Sequence, residues 1–336
     1  MNKFLLLFIS FLCSVGVAAA NAADMEITPF RSVNQSPLVQ IYGLPSDSSA
    51  KLSPSGKLTV SIVQDVASDY TVSTSARERI VLDGESYRWT VAARYGFGDR
   101  YEAGIELPYI LYGGGFLDSF IVEWHKAFSL PQGGRDSAPK NRLSFLYVKD
   151  GVQKLNMNHA GSGIGDVSLT GGMQLYDVRN ADFLTSLALR AALKLPSGDS
   201  ASLYGSGSTD FSLSLCGSTN NFTDWSSLVF YGSLGGMAMS DGSVLRDQQN
   251  NLVGFGTLGL GWGPTPWISF KSQLNAHTPF YRDSSLKELS NSSMMLIIGG
   301  AIKMHGDYLL DIGVAEDVAV RTAPDVSFHL GLSKRF

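Results

Sequence analysis

The chain has 336 residues, with 26 Lys and Arg against 30 Asp and Glu, a formal net charge of −4, 17% charged residues and 36 Gly. So few charges lie below the ~25% of an average soluble domain, and an acidic balance offers no basic footprint for nucleic acid. Two cysteines, Cys13 and Cys216, cannot build the framework of a small disulfide-stapled secreted scaffold.

Residues 1–22 read as a secretory signal. Lys3 is the only charge before the apolar run Phe4–Val17, and Ala20-Asn21-Ala22 fits a small-x-small cleavage site. The run is shorter than the ~20 residues a spanning helix needs. Cleavage after Ala22 would leave 25 Lys and Arg against 30 Asp and Glu, a net of −5, and Cys216 as the single cysteine. Residues 23–56 are irregular and rich in Ser and Pro (Pro29, Pro37, Pro45, Pro54), which suggests a leader in the periplasm or in a lumen rather than a domain.

Residues 57–336 repeat one device, about ten residues of alternation and then a break. Tight breaks fall at Gly98-Asp99-Arg100, Asp177–Asp182, Asn220–Asp224, Gly263–Pro266 and His305–Asp307, where Gly, Pro, Asn and Asp supply turn geometry. Long breaks fall near 70–77, 114–162, 196–208, 239–250, 278–291 and 316–325. Their alternation predicts an all-β, transmembrane, antiparallel up-and-down barrel of about 12 strands, with a long loop after the third strand and both chain ends on the periplasmic side. Leu187, Leu189 and Leu193 share one parity and Arg190 and Lys194 the other. Likewise Ile268, Phe270 and Leu274 oppose Lys271, Gln273 and Asn275. The apolar set must face lipid and the polar set a wet interior. Trp89, Tyr95, Tyr101, Tyr109, Trp225, Trp262, Trp267 and Tyr308 sit at strand ends, as an interfacial girdle would. The final strand alternates from Val326 to Phe336, and His329, Gly331 and Phe336 resemble the signal by which barrel-assembly machinery reads outer-membrane proteins.

Several stretches resemble the uncharacterised family of proteobacterial outer-membrane proteins known as DUF3187. They are Asn34–Leu38 with Gly43-Leu44-Pro45, Leu82–Arg88, Tyr95-Gly96 through Glu106–Tyr109, Gly115–Asp118, His125 to Leu130-Pro131 with Arg135, and Gly163-Ile164-Gly165-Asp166. The resemblance covers most of the chain beyond residue 22, implies an outer-membrane location, and carries almost nothing about activity.

Chemistry is sparse. In the loop 114–162, Leu117, Phe120, Ile121, Trp124 and Phe128 have helical spacing, and Arg142–Asn156 reads as a hairpin turning at Asp150-Gly151. This loop either folds inward as a constriction or stays outside as a surface helix. It holds Asp118, Glu123 and His125, where a carboxylate beside a His could do acid–base work. No nucleophile motif accompanies them, so they are weak candidates for a lipid-modifying enzyme. The dispersed histidines lack metal-ligand spacing, and Asp83-Gly84-Glu85 reads as a tight bend rather than a Ca²⁺ site, so no metal or cofactor is expected. Arg88, Arg94, Glu102, Glu106, Asp166, Arg190, Lys194 and Lys271 fall on the predicted lumen side. They would either line a pore or neutralise one another inside a closed structural or assembly barrel. The favoured reading is passage of a small polar or amphipathic solute, with 114–142 as the gate and outer-membrane lipid around the wall.

Overall fold

The computed structural model describes residues 26–46, 48–128, 134–180, 183–222, 227–318 and 322–336. The expected signal segment 1–22 and Trp225 lie outside the described residues. Twelve wall positions close an antiparallel barrel. They are β1 (Leu58–Thr74), β2 (Glu78–Phe97), β3 (Tyr101–Gly113), the interrupted pair β6 (Gly161–Ile164) and β7 (Ser168–Arg179), β8 (Phe183–Lys194), β9 (Asp210–Phe222), β10 (Ser227–Met239), β11 (Leu252–Thr265), β12 (Ile268–His277), β13 (Ser293–Met304), β14 (Tyr308–Asp317) and β15 (Val326–Arg335). Each strand pairs with its chain neighbours, and β15 closes on β1 from Thr59↔Arg335 to Ser68↔Val326, so no wall edge is left open. No helix among the described residues is long and apolar enough to cross a membrane.

The two-residue period sets the faces. Phe211, Leu213 and Leu215 are exposed on the outside, while Ser212 and Ser214 are buried inside. Ser269, Lys271 and Gln273 face inward between half-exposed Ile268, Phe270 and Leu274. Tyr95, Phe97, Tyr101, Tyr176, Phe183, Trp267 and Tyr308 are exposed around the short-turn end, as an aromatic girdle requires.

Three details differ from the sequence expectation. Residues 70–74 continue β1 instead of breaking it, so the β1–β2 hairpin turns only at 75–77. Asp83-Gly84-Glu85 is not a bend but the point where β2 changes partner. Below it β2 pairs with β3 (Glu85↔Gly113), and above it with β4 (Ser144–Lys149), from Asp83↔Ser144 to Glu78↔Lys149. Gly84 takes φ 158° at the junction, which side chains rarely adopt, and a Cβ there would lie 3.3 Å from Gly113 O. Strand β4 and β5 (Val152–Met157) form the expected hairpin, with Asp150 and Gly151 both at positive φ.

The third difference concerns the loop read as a gate. The helix α1 (Leu117–Phe128) lies on the outside of the wall. Its Phe120 ring meets Phe328 at 6.3 Å, and Phe328 shares its parity with exposed Leu330 and Leu332. Glu85 accepts the Leu117 N–H at 2.6 Å. Buried Arg135 ties the loop down, donating to Asp118 and Asp325 at 2.6 Å each and to Ser68 at 2.9 Å, with its guanidinium over the Tyr70 ring. Outward Ser68 and Tyr70 offer these contacts on the outer face, and they hold α1 and Arg135 there.

Candidate functional site: a plug in the lumen

What fills the lumen is the leader. Residues 26–56 enter from the short-turn end, rise along β12, turn at 36–42 and descend along β8 and β3 to join β1. The rising limb is held by a side-chain ladder. Lys271 donates to Thr28 O at 3.0 Å; Gln273 accepts the Phe30 N–H at 2.7 Å and donates to Phe30 O at 3.1 Å. Asn275 donates to Ser32 O at 3.1 Å, and Asn34 reaches His277 Nε2 at 3.0 Å. Every second residue of β12 thus serves every second residue of the leader. A β-strand presents its inward groups at that spacing, and an extended limb alongside meets them in step. His277 Nδ1 lies 2.9 Å from Thr278 O, so the tautomer that donates there leaves Nε2 to accept from Asn34.

At the top, Ser36 N–H bonds Asn34 Oδ1 at 2.9 Å, and Gln40 N–H returns to Ser36 O at 2.9 Å. This side-chain-capped turn carries Leu38, Val39, Ile41 and Tyr42 into an apolar cap with Tyr112, Phe145, Phe280 and Tyr281 beneath the long loops. Tyr42 stacks on Phe280 at 4.8 Å, and Tyr281 donates to Leu38 O at 2.9 Å. The descending limb is again held by wall side chains. Arg88 donates to Gln40 O at 2.9 Å, Asp210 accepts Gly43 N–H at 2.7 Å, Arg190 grips Ser49 O through two nitrogens, and Glu102 accepts Ser53 N–H at 2.7 Å.

All eight side chains expected on the lumen side do lie there, and none stands alone. Glu106 Oε1 accepts from Arg31 of the plug at 2.6 Å and from Arg94 at 3.1 Å. Arg190 pairs with Glu102 at 2.8 Å. Lys194 sits between Asp166 at 2.7 Å and Asp210 at 3.0 Å, and Lys271 pairs with Asp311. Buried charges require such partners. Asp166, in the Gly-Ile-Gly-Asp stretch, also accepts the Gly198 and Ser206 N–H groups, tying the 195–208 loop to the break between β6 and β7. Burial, then repulsion from Arg94, draws Arg31 down to about 10, and it stays charged at neutral pH. The Nε–H groups of Arg31 and Arg94 meet no acceptor among the described residues.

Among the cavities beside the plug, two bear on passage. One of about 60 Å³ lies above, between the plug turn and β3, β7, β8 and β9. One of about 370 Å³ opens at the short-turn end. They share Ser48, Arg94 and Arg190 as their common wall, so the ion pairs of Arg94 and Arg190 with Glu106 and Glu102 form the barrier between them.

Two of the three acid–base candidates are taken up by ion pairs of the loop. Asp118 is committed to Arg135, and Glu123 is exposed and pairs with Lys126 at 2.9 Å. His125 is on α1, but its side chain lies outside the described ones. His329 is buried against Asp65 at 2.7 Å inside the lumen, Gly331 faces Val63, and Phe336 hydrogen-bonds Leu58 O at 2.8 Å beside the closing seam. Sequence reading missed Arg31, Asn34, Asp65 and Gln174 of β7, which accepts the Leu52 N–H at 2.9 Å and donates to Ala50 O at 2.8 Å. The polar parity of β12 marked its inward groups, but nothing in the leader's composition marked it as their partner.

Residues 5–336 match the family described as a protein of unknown function, DUF3187. No curated protein matches the chain. Among solved structures the fold is similar to the COG4313 outer membrane channel from Pseudomonas putida F1, at 15% identity and TM-score 0.51 over 85% of this chain and 98% of that one. Weaker likenesses include the translocator domain of the autotransporter NalP from Neisseria meningitidis (11% identity, TM-score 0.40, 85% and 90% covered) and the toluene transporter TodX from P. putida (8%, 0.33, 83% and 89%).

Proposed function

The chain belongs to the DUF3187 family, and we propose that it is a plugged channel of the bacterial outer membrane, passing a small polar solute when its N-terminal plug shifts. One observation carries this reading. The plug is held by wall side chains and not by strand pairing along its length, apart from an isolated bridge at Ser55 and Gly96. Water can replace such bonds one by one, so the plug can move without opening the barrel seam. A second support is the pair of cavities whose common wall is Ser48 of the plug with Arg94 and Arg190, each held in an ion pair. In this reading the short-turn end, with both chain ends, faces the periplasm, residues 1–22 are removed on export, and the closing strand with His329, Gly331 and Phe336 is what the assembly machinery reads.

The test is conductance in a planar bilayer. The full chain should be mostly closed, and a chain lacking 26–53 should conduct steadily. If the shortened chain folds and stays silent, the channel reading fails. A closed assembly or structural barrel is the second reading, favoured by the apolar cap over the plug turn, and it predicts that silence.

A further inference from the structure

The larger cavity is electrostatically opposite to the chain around it. The chain as a whole is net negative. Yet eight Lys and Arg side chains line this vestibule against four Asp and Glu. Several of the acids are already taken: Glu102 by Arg190, Asp311 by Lys271 and Glu26 by Arg335. Glu106, just behind the wall, is shared by Arg31 and Arg94, so two guanidiniums meet one carboxylate. Lys51 on the plug and Lys57 at the foot of β1 face the same space with no ion pair among the described residues.

We propose that the vestibule is a binding site for a small oxyanion, a dicarboxylate or a phosphate, held between Arg31 and Lys51 of the plug and Arg94 and Lys57 of the wall. This rests on the channel reading in one respect, that it names the class of solute the channel handles. A carboxylate or phosphate oxygen supplies the acceptors that the Lys51 and Lys57 ammonium groups lack among the described residues, and guanidinium geometry suits both groups. A cationic solute would meet an excess of like charge in a confined space, and a neutral one would leave that excess unbalanced. The volume, about 370 Å³, is in the range of pockets that hold small ligands. Because Arg31 and Lys51 sit on opposite limbs of the plug, an occupant between them and the wall also senses where the plug is.

The test is calorimetric titration of the full chain in detergent with succinate and with inorganic phosphate, using putrescine and glucose as cationic and neutral probes. Succinate or phosphate should bind, with affinity falling as salt rises, and putrescine and glucose should not. The double variant Lys51→Gln with Lys57→Gln breaks no ion pair among the described residues, and it should weaken anion binding about tenfold or more. Absence of anion binding, or equal binding by a folded double variant, would overturn the proposal. The two readings fail separately. A chain silent in bilayers that still binds succinate through Lys51 and Lys57 would remove the channel and keep the site. A conducting chain with no bound anion and no anion preference in its reversal potential would remove the site and keep the channel.

Discussion

Arg31 and Glu106 join the plug to the wall. The guanidinium Nη2 lies 2.6 Å from Oε1, and the same oxygen accepts from Arg94. The arrangement is asymmetric. Arg31→Gln removes one positive charge from the plug and leaves Glu106 with Arg94. Glu106→Gln leaves two buried guanidiniums facing each other. Uncompensated buried charge costs about 3–5 kcal/mol, so Glu106→Gln should lower the thermal unfolding midpoint more than Arg31→Gln. The order of the two midpoints, read from the heat-dependent shift in gel migration, checks this. The reverse order would mean that the latch lies elsewhere.

Asn34 anchors the top of the rising limb. Its Nδ2 reaches His277 at 3.0 Å, Ser293 at 3.2 Å and Thr322 O at 2.9 Å, while its Oδ1 caps the turn at Ser36. Asn34→Ala should cost about 1–3 kcal/mol, the penalty of leaving buried polar groups unpaired. It should also raise cleavage of the 36–42 turn by added protease. Unchanged proteolysis would contradict an anchoring role.

The position of α1 separates two roles for the long loop. Arg135→Ala should free the loop from Asp118, Asp325 and Ser68 and make 114–142 protease-sensitive, with conductance unchanged. A rise in conductance would return the loop to the role of gate.

Lys194 stands between two carboxylates, Asp166 at 2.7 Å and Asp210 at 3.0 Å. Lys194→Met leaves both without their cation and should destabilise the barrel by about 3–5 kcal/mol. The double change Lys194→Met with Asp210→Asn should recover part of that loss. Denaturant unfolding of the two variants gives the comparison, and no recovery would mean that Asp210 does not share the lysine.

Much of this fold is legible in the primary structure because a two-faced wall imposes its period on every strand. Arg190 and Lys194 on one parity, with Leu189 and Leu193 on the other, mark lumen and lipid without any contact being known. Asp150-Gly151 marks its hairpin for the same local reason, the need for two positive φ values. The plug is different. Its backbone is satisfied by Lys271, Gln273 and Asn275, some 240 positions along the chain, so no local pattern betrays it. Only the Asn34 turn into Pro37 and the apolar run behind it are visible, and they look like any loop. The continuation of β1 through Ser73 and Thr74 was hidden in the same way. Those polar residues suggest a break, and it is pairing with Ile80 and Arg79 that keeps them extended.

The central claim is that the plug, seated in the lumen, controls passage. A Cβ built on Gly261 of β11 lies 3.6 Å from Ile27 Cβ, within the ~3.5–4.5 Å of bridged cysteines. In a Cys216→Ser background, Ile27→Cys with Gly261→Cys therefore places a removable tether between the rising limb and β11. The measurement is single-channel conductance of this protein in one bilayer, before and after reduction. The account predicts a closed channel when oxidised and openings on reduction. Equal conductance in the two states would contradict it.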